Sequence, residues 1–316
     1  MAAAAPAPVT DPGAVFPELD ALRRRAMSGD VVGTLEDLAA LGHHHGPDES
    51  LARELLAGQP ALEDVLETHL AAHPDDGGAR TLLAHRWLVV AEDGLPGLRG
   101  REVSSEHLAH SRDLLGRAEE SLLRLCAEDP EDPEAWVLRV RAARLRGLPV
   151  GEAHRRYLRL FAVRPHHSQG QHEYLRALVP PTGSWETAFA FAREVAAAAA
   201  PGTVECTVLA TAHLLRWRAE EAGHERGYLR RREVLAELED VADRFRAVPG
   251  PARWAWVGPH TELAVLFAVG GLTERARSHL RALGPLVAPE PWALLGRHRD
   301  ALERLRAATL AEVRPS

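Results

Sequence analysis

Helix-favouring residues, interrupted at short intervals by Gly, Pro and Asp, recur along almost the whole chain of 316 residues. Apolar side chains repeat at the three- and four-residue spacing of a helix face. No segment alternates apolar and polar residues as a half-buried strand would. The absence of Ile and an aromatic content of 5% also favour helix over strand. The sequence therefore predicts an all-α fold.

The breaks divide the chain into consecutive predicted helices. The first pair spans 17–27 and 31–41, with Ser28-Gly29-Asp30 as its turn, and a polar loop is predicted over 42–47. Further helices are predicted over 49–57, 61–72, 78–91, 104–125, 134–146, 151–163, 171–178, 185–200, 204–223, 227–247, 254–269, 274–286 and 290–310. For the helix over 104–125, a break near Gly116 is the alternative.

Two windows resemble tetratricopeptide units, which are 34-residue helix hairpins with small residues at the closest helix contacts. In the window 260–290 the pattern is carried by Leu263, Ala264, Phe267, Gly270-Gly271, Ala276, Leu280, Leu283 and Pro289. In the looser window 132–165 it is carried by Trp136, Ala153, Tyr157, Leu160 and Pro165. The resemblance implies a right-handed α-solenoid of antiparallel helix hairpins with degenerate repeats.

A second resemblance covers roughly 75–215. The series His172-Glu173-Tyr174-Leu175, Leu178-Val179-Pro180, Gly183-Ser184-Trp185 and Phe189-Ala190-Phe191-Ala192-Arg193, with Leu98-Arg99-Gly100 upstream, is similar to an uncharacterised bacterial helical-repeat family. The resemblance implies a helical-repeat fold and a group of relatives, but it implies no activity because that family is uncharacterised. The four residues expected to contact a partner are Arg99, His172, Trp185 and Arg193.

Residues 1–14 are rich in Ala and Pro and predict a disordered leader. The remainder, 15–316, is interpreted as a single helical-repeat domain. Two lobes are an alternative, with a division near the Gly-rich segment 94–100 or the Pro-Pro break at 180–183.

Composition narrows the possible functions. All 38 basic residues are Arg, so chemistry that needs a lysine, such as P-loop phosphate binding or Schiff-base formation, is excluded. Lys, Ile and Asn, which have AT-rich codons, are all absent, and this indicates a GC-rich bacterial genome. A formal charge of −7 predicts no general attraction to nucleic acid or to an anionic membrane.

The two cysteines, Cys126 and Cys206, each lie within a helical pattern and are predicted to be small core residues. They form no disulfide framework, and no apolar stretch is long enough to span a membrane. The expected location is therefore the cytoplasm.

The densest group of potential ligands or acid–base residues is His166, His167, His172 and Glu173, at a predicted helix junction. Histidines that satisfy a helix end explain this group without chemistry. Ser184 is interpreted as a helix N-cap, because the segment lacks the strand and second glycine of a nucleophile elbow. We therefore expect no catalytic residue, metal ligand or cofactor.

The leading hypothesis is a non-catalytic scaffold or adaptor that binds a protein or peptide along a concave helix surface. The alternative is a small-molecule-binding protein or metal-dependent enzyme that uses His166, His172 and Glu173. A third hypothesis is a regulatory sensor whose nucleic-acid-binding domain resides on another chain. The sequence leaves the partner and the oligomeric state open.

Overall fold

The computed structural model of the protein describes residues 7–44, 46–95, 104–222, 227–250 and 252–313. Across these ranges the chain forms sixteen α-helices, four short 3-10 helices and no strand. The predicted all-α class is confirmed.

The helices are numbered in chain order: α1 (Pro17–Met27), α2 (Val31–His44), α3 (Gly46–Ala57), α4 (Leu62–Ala72), α5 (Gly77–Asp93), α6 (Ser105–Glu128), α7 (Pro133–Leu145), α8 (Val150–Val163), α9 (Ser168–Leu178), α10 (Trp185–Ala198), α11 (Val208–Ala222), α12 (Arg232–Arg246), α13 (Val257–Gly270), α14 (Thr273–Leu283), α15 (Pro289–Ala293) and α16 (Arg299–Val313). The 3-10 helices are Pro12–Ala14, Val204–Thr207, Tyr228–Arg230 and Gly296–His298.

The predicted helix pairs of the two tetratricopeptide-like windows are present as α7–α8 and α13–α14, and the helices of each pair pack against each other. The bounds of α7 and α8 differ from the predicted ones by one residue. Asp132 explains the first bound of α7, because its carboxylate accepts a hydrogen bond from the Glu134 amide at 2.9 Å and caps the helix. Gly271, at φ 91°, ends α13 in the left-handed conformation that favours glycine.

Several predicted bounds are wrong. The helices expected over 204–223 and 227–247 each have a 3-10 turn in their first residues, so α11 begins at Val208 and α12 at Arg232. The loop expected over 42–47 is not found in the described residues of that range, because α2 continues to His44 and α3 begins at Gly46. Pro47 is compatible with that start, since the first turn of a helix does not use its amide hydrogens. The single helix expected over 290–310 is divided into α15, a 3-10 turn and α16, because Gly296 has φ 49° and interrupts the helical backbone.

The contacts divide the chain into two compact units. The α1–α9 unit comprises Pro17–Phe191, and the α11–α16 unit comprises Met1–Phe16 together with Ala192–Ser316. The division falls inside α10, so the first half of this helix belongs to one unit and the second half to the other.

In the α1–α9 unit, four alternate helices pack side by side. Helix α3 contacts α5, α5 contacts α7, α7 contacts α9, and α9 contacts α3 again. The intervening helices α4, α6 and α8 pack against the helices that follow them in the chain. The four inner helices therefore form a closed ring within this unit.

In the α11–α16 unit, α13 is the central helix. Five consecutive residues, Leu263 to Phe267, have no exposed surface, and α13 contacts α11, α12, α14 and α15. A helix that is apolar on all sides is stable only when it is surrounded by other elements. The apolar composition of α13 thus determines the packing of this unit.

Part of the predicted leader belongs to this unit. The Val9 amide donates to the Pro285 carbonyl at 2.9 Å, and the Val9 carbonyl accepts from Val287 at 2.9 Å. The Phe16 ring lies 6.3 Å from the Trp254 ring. Residues 7–14 therefore differ from the disorder expected for them, because Val9 is hydrogen-bonded to the segment that follows α14 and Pro12–Ala14 form a 3-10 helix.

The predicted cap of α10 is confirmed, because the Thr187 amide donates to Ser184 Oγ at 3.1 Å. We expect Ser184→Ala to lower the free energy of unfolding by about 1 kcal/mol, since an orphan amide loses its acceptor. Urea denaturation followed by circular dichroism measures this change. Ser105→Ala is the control, because Ser105 is exposed and its substitution should change the free energy by less than about 0.5 kcal/mol. Equal effects of the two substitutions would contradict the capping role.

Candidate functional site

Arg193 is the predicted partner-binding residue with the best-defined surroundings. It lies on α10 with its side chain 54% exposed. Its guanidinium donates two hydrogen bonds to the carboxylate of Glu237 on α12, at 2.7 and 3.4 Å. Arg193 is therefore held between two helices.

The other predicted partner-binding residues are more dispersed. Trp185 is half-buried at the start of α10, and its ring centroid lies 6.4 Å from that of Phe189. Ala188, on the same face of α10, is completely buried. Arg99 lies outside the described residues.

The three residues of the alternative small-molecule or metal site, His166, His172 and Glu173, lie in different environments. His166 is exposed, whereas His172 is half-buried with Nδ1 2.8 Å from the carbonyl oxygen of Ser168. Glu173 is only 4% exposed, and it accepts a hydrogen bond from Arg144 Nε at 2.9 Å. Glu173 is therefore committed to an ion pair on the inner side of α9.

A groove of about 420 Å³ lies between α10 and α12, with the start of α11 beside it. We call it the α10–α12 groove. Its apolar lining includes Ala196, Ala197, Leu209, Ala236 and Val241. Because alanine side chains project little from a helix, the groove has room for a larger apolar side chain from another molecule.

The charged rim of the groove consists of Arg193, Glu237, Asp240 and Arg244. Arg244 donates hydrogen bonds to two carbonyl oxygens near the end of α10, at 2.6 and 2.9 Å. These carbonyls have no partner within the helix, so the guanidinium completes the end of α10.

Asp240 differs from the other charged residues of the rim. It is exposed on α12, and within the described parts of the chain it makes no ion pair or hydrogen bond. Both arginines of the rim are engaged, by Glu237 and by the α10 carbonyls. The charge that remains available to another molecule at this rim is therefore negative.

A buried chain of hydrogen bonds supports the α12 side of the groove. His213 Nε2 lies 3.0 Å from Glu237 Oε2, and His213 Nδ1 lies 2.7 Å from the Tyr228 hydroxyl. The hydrogen bond from His213 and the ion pair with Arg193 lower the pKa of Glu237 to about 2, although burial opposes this shift. Glu237 is thus ionised at neutral pH.

The order carboxylate, imidazole, hydroxyl also occurs in nucleophilic triads. Here the hydroxyl belongs to Tyr228, which is 6% exposed, and burial raises its pKa. A protonated and enclosed phenol is a poor nucleophile. The arrangement instead connects α11, the 3-10 turn at Tyr228–Arg230 and α12 in a fixed geometry.

A second set of charged residues connects the four inner helices of the α1–α9 unit. At its centre, Arg141 of α7 is 5% exposed and donates hydrogen bonds to Glu54 of α3 at 2.7 Å and to Glu92 of α5 at 2.7 Å. Arg144 bridges Glu92 and Glu173, with contacts of 2.9 and 2.8 Å. One carboxylate from each of α3, α5 and α9 therefore meets the two arginines of α7. We call these five residues the inner cluster.

Burial raises the pKa values of Glu54 and Glu92, but their charged partners lower these values by more. Burial alone would raise the pKa of Glu54, but the charge of Arg141 and a 2.8 Å hydrogen bond from His85 hold it well below its ordinary value. Burial likewise opposes ionisation of Glu92, whereas Arg141 and Arg144 lower its pKa to about 2. The inner cluster is therefore a stable set of ion pairs at neutral pH.

A neighbouring pair of acids shares one arginine. Arg53 Nη2 lies 2.8 Å from Glu49, and Arg53 Nε lies 3.7 Å from Glu134. Burial opposes ionisation of both acids, yet a hydrogen bond from His167 and the charge of Arg53 lower the pKa of Glu134 to about 2. Burial raises the pKa of Glu49, and the charge of Glu134 adds to this shift. These groups extend the charged interior from α3 to α7 and α9.

The described residues contain no group of three or more His, Cys, Asp or Glu side chains that could hold a metal ion. Cys126 and Cys206 are both buried, in agreement with their prediction as core residues. Burial raises the pKa of Cys126 to about 11, so this thiol is not ionised at neutral pH. None of the helices in the described part is long and apolar enough to cross a membrane.

The chain matches no protein-family model, no curated protein and no solved structure. The function must therefore be argued from the geometry of the chain itself.

Several residues of these sites have no distinguishing sequence signal. Glu237 and Asp240 lie among many acidic residues of α12, and their position on a groove depends on α10, about 44 positions earlier. Arg141 did carry a signal. It lies in a segment whose other residues, from Val137 to Ala143, are mostly apolar, and a charge within such a segment needs buried partners.

Proposed function

We propose that the chain is a non-catalytic helical-repeat protein that binds a peptide segment of a protein partner. The tetratricopeptide-like pairs α7–α8 and α13–α14 support a repeat architecture, in which helix pairs carry partner-binding surfaces. The α10–α12 groove supports a specific place for the partner.

This proposal rests on one observation: the α10–α12 groove combines an apolar lining with the carboxylate of Asp240, which has no ion-pair partner in the described parts of the chain. Ala197 and Ala236 are exposed on opposite walls, and Asp240 stands at the rim. A groove between two helices that accepts one apolar anchor is a recurring mode of peptide recognition. Arg193, the residue expected from the family resemblance, is placed at the same rim by its bonds to Glu237.

The partner chemistry follows from these groups. An apolar side chain of leucine size fits against the alanines, and a basic side chain next to it in the partner reaches Asp240. The formal charge of −7 on the chain also favours a basic partner over an acidic one. The proposed ligand is therefore a peptide segment with a basic residue adjacent to a large aliphatic one.

In the inner ring of the α1–α9 unit, the charged side chains of the inner cluster already pair with one another; Arg141 and Glu173 are almost fully buried, and Glu54 and Glu92 are half-buried. This is why the proposal rests on the α10–α12 groove and not on a concave surface of the inner helices. The alternative site at His166, His172 and Glu173 has less support. Glu173 is buried in an ion pair with Arg144, whereas His166 is exposed to solvent.

A pair of tryptophan substitutions tests the proposed groove. A peptide is first selected from a random library on the full chain, and its affinity is measured by fluorescence polarisation. Ala197→Trp places an indole in the groove and is expected to weaken binding about ten-fold or more, a loss of about 1.4 kcal/mol. Ala198→Trp is the matched control, because Ala198 is also exposed on α10 but does not line the groove.

Asp240→Asn tests the charge separately. We expect it to weaken peptides with a basic residue several-fold and to leave peptides without one unchanged. If Ala197→Trp and Ala198→Trp bind the selected peptide equally well, the groove is not the binding site. If the library yields only acidic peptides, the proposed partner chemistry is wrong.

A further inference from the structure

A second cavity in the α11–α16 unit, of about 310 Å³, lies between the end of α12 and the start of α13. We call it the α12–α13 cavity. Two aromatic walls meet at His260, whose ring lies 5.1 Å from Phe245 and 5.7 Å from Trp256. Its volume is at the small end of the range for ligand pockets and suits one or two fused rings.

The backbone on one side of this cavity is closely packed. A Cβ atom at Gly250 would lie 2.1 Å from the carbonyl oxygen of Gly202, a distance that real side chains do not adopt. The two glycines therefore allow the chain segments before α11 and before α13 to approach each other. This close approach gives the cavity a defined wall without a bound ligand.

His260 lines the cavity and has one ring nitrogen that its contact with His279 does not use. Its Nδ1 lies 2.8 Å from Nδ1 of His279, so one of the two rings donates to the other. His279 is fully buried, and its Nε2 has no partner. A buried lone pair without a partner costs less than a buried N–H without one, so His279 carries its hydrogen on Nδ1 and donates to His260. His260 then carries its hydrogen on Nε2, the nitrogen not used by the pair.

Arg246 adds a positive charge to the same cavity. It is exposed at the end of α12, and one of its terminal nitrogens donates to Ser278 Oγ. Among the described residues that line the cavity, none is acidic. The polar side chains that line the cavity, Arg246 and His260, are thus the donors available to a ligand, and the other lining side chains are aromatic or aliphatic.

We propose that the α12–α13 cavity binds a small aromatic carboxylate. Its ring packs against Phe245 and Trp256, and its carboxylate accepts hydrogen bonds from Arg246 and from Nε2 of His260. This site shares no residue with the α10–α12 groove, so it is independent of the proposed peptide binding.

The probe is 1-naphthoate, with the neutral 1-naphthamide as the comparison, and binding to the full chain is measured by isothermal titration calorimetry at pH 7. The amide has the same rings but lacks the negative charge, so naphthoate is expected to bind about ten-fold more tightly. Arg246→Gln is expected to remove that preference. Arg230→Gln, an exposed arginine in the same unit, is the matched control and should retain it.

Trp256→Leu is a second variant that keeps the guanidinium and removes one aromatic wall. It is expected to weaken naphthoate several-fold while preserving its preference over naphthamide. The proposal is overturned if naphthoate does not bind at millimolar concentration, if the amide binds equally well, or if Arg246→Gln leaves the affinity unchanged.

Discussion

Replacing Arg141 by methionine is expected to lower the free energy of unfolding by about 3 kcal/mol, because the buried Glu173 and the half-buried Glu54 and Glu92 lose their shared cation. Methionine retains much of the length and volume of the arginine side chain, so the change mainly removes charge. Glu54 and Glu92 each lose hydrogen bonds of 2.7 Å, and Glu173 loses a positive charge 4.0 Å away. Chemical denaturation followed by far-ultraviolet circular dichroism measures the effect.

The control is Arg124→Met, which removes an arginine that pairs with Glu120 on the exposed face of α6. Both partners are about two-thirds exposed, so the expected loss is below about 0.5 kcal/mol. Adding Glu92→Gln to Arg141→Met should recover part of the stability, because one uncompensated charge is removed. If Arg141→Met and Arg124→Met have equal effects, the inner cluster does not hold the four inner helices together.

The effect of Arg141→Met on the free energy of unfolding should also depend on pH. The pKa of Glu92 is about 2 in the folded chain, below the ordinary value of 4.5, so its contribution is present above pH 4.5 and is lost as the pH falls towards 2. In Arg141→Met the acids have lost the cation that favours ionisation. The difference in stability between the parent and the variant should therefore shrink as the pH falls below 4.5.

The helices themselves were predictable because their signals are local. Asp132 and Pro133 indicate the start of α7, and Gly147 the end of its turn, within a few positions of the residues they affect. The same holds for Ser184, whose hydroxyl acts three residues away. Periodicity, caps and breakers need only a short window of sequence.

The sites depend on contacts that no local pattern contains. Glu54 and Arg141 are 87 positions apart, and they lie on α3 and α7, which both pack against α5. Arg193 was expected to bind a partner from a family resemblance, but its ion pair with Glu237 could not be read from the sequence. The surroundings of Arg193 and Asp240 follow from how α10 packs with α12, which is a tertiary property.

The second large effect concerns the buried histidine pair of the α11–α16 unit. Burial, together with the charge of Arg246, lowers the pKa of His260 to about 4. Burial, His260 and the charges of Arg246 and Arg275 lower the pKa of His279 to about 3. The ordinary value is 6.5, so both rings are neutral in the folded chain at pH values where the unfolded chain binds protons.

The sign of the effect follows from these values. The contribution of the neutral histidine pair to the free energy of unfolding is present above pH 6.5. It is lost as the pH falls towards the pKa values of the two histidines in the folded chain, about 4 and 3. Between pH 6.5 and 4.5 we expect the free energy of unfolding to fall by about 2–5 kcal/mol, since the unfolded state takes up nearly two more protons. Denaturation curves collected at half-unit pH intervals measure the slope of the free energy of unfolding against pH.

The double variant His260→Gln, His279→Gln removes both titrating groups and keeps side chains that can hydrogen-bond to each other. It is expected to show a much smaller slope over this pH range, whereas His110→Gln, which changes an exposed histidine of α6, should retain the slope of the parent. Glu92 and Glu134 cannot account for a loss above pH 4.5, because their contribution declines only below that value. A double variant with the same slope as the parent would therefore show that this pair is not neutral in the folded chain.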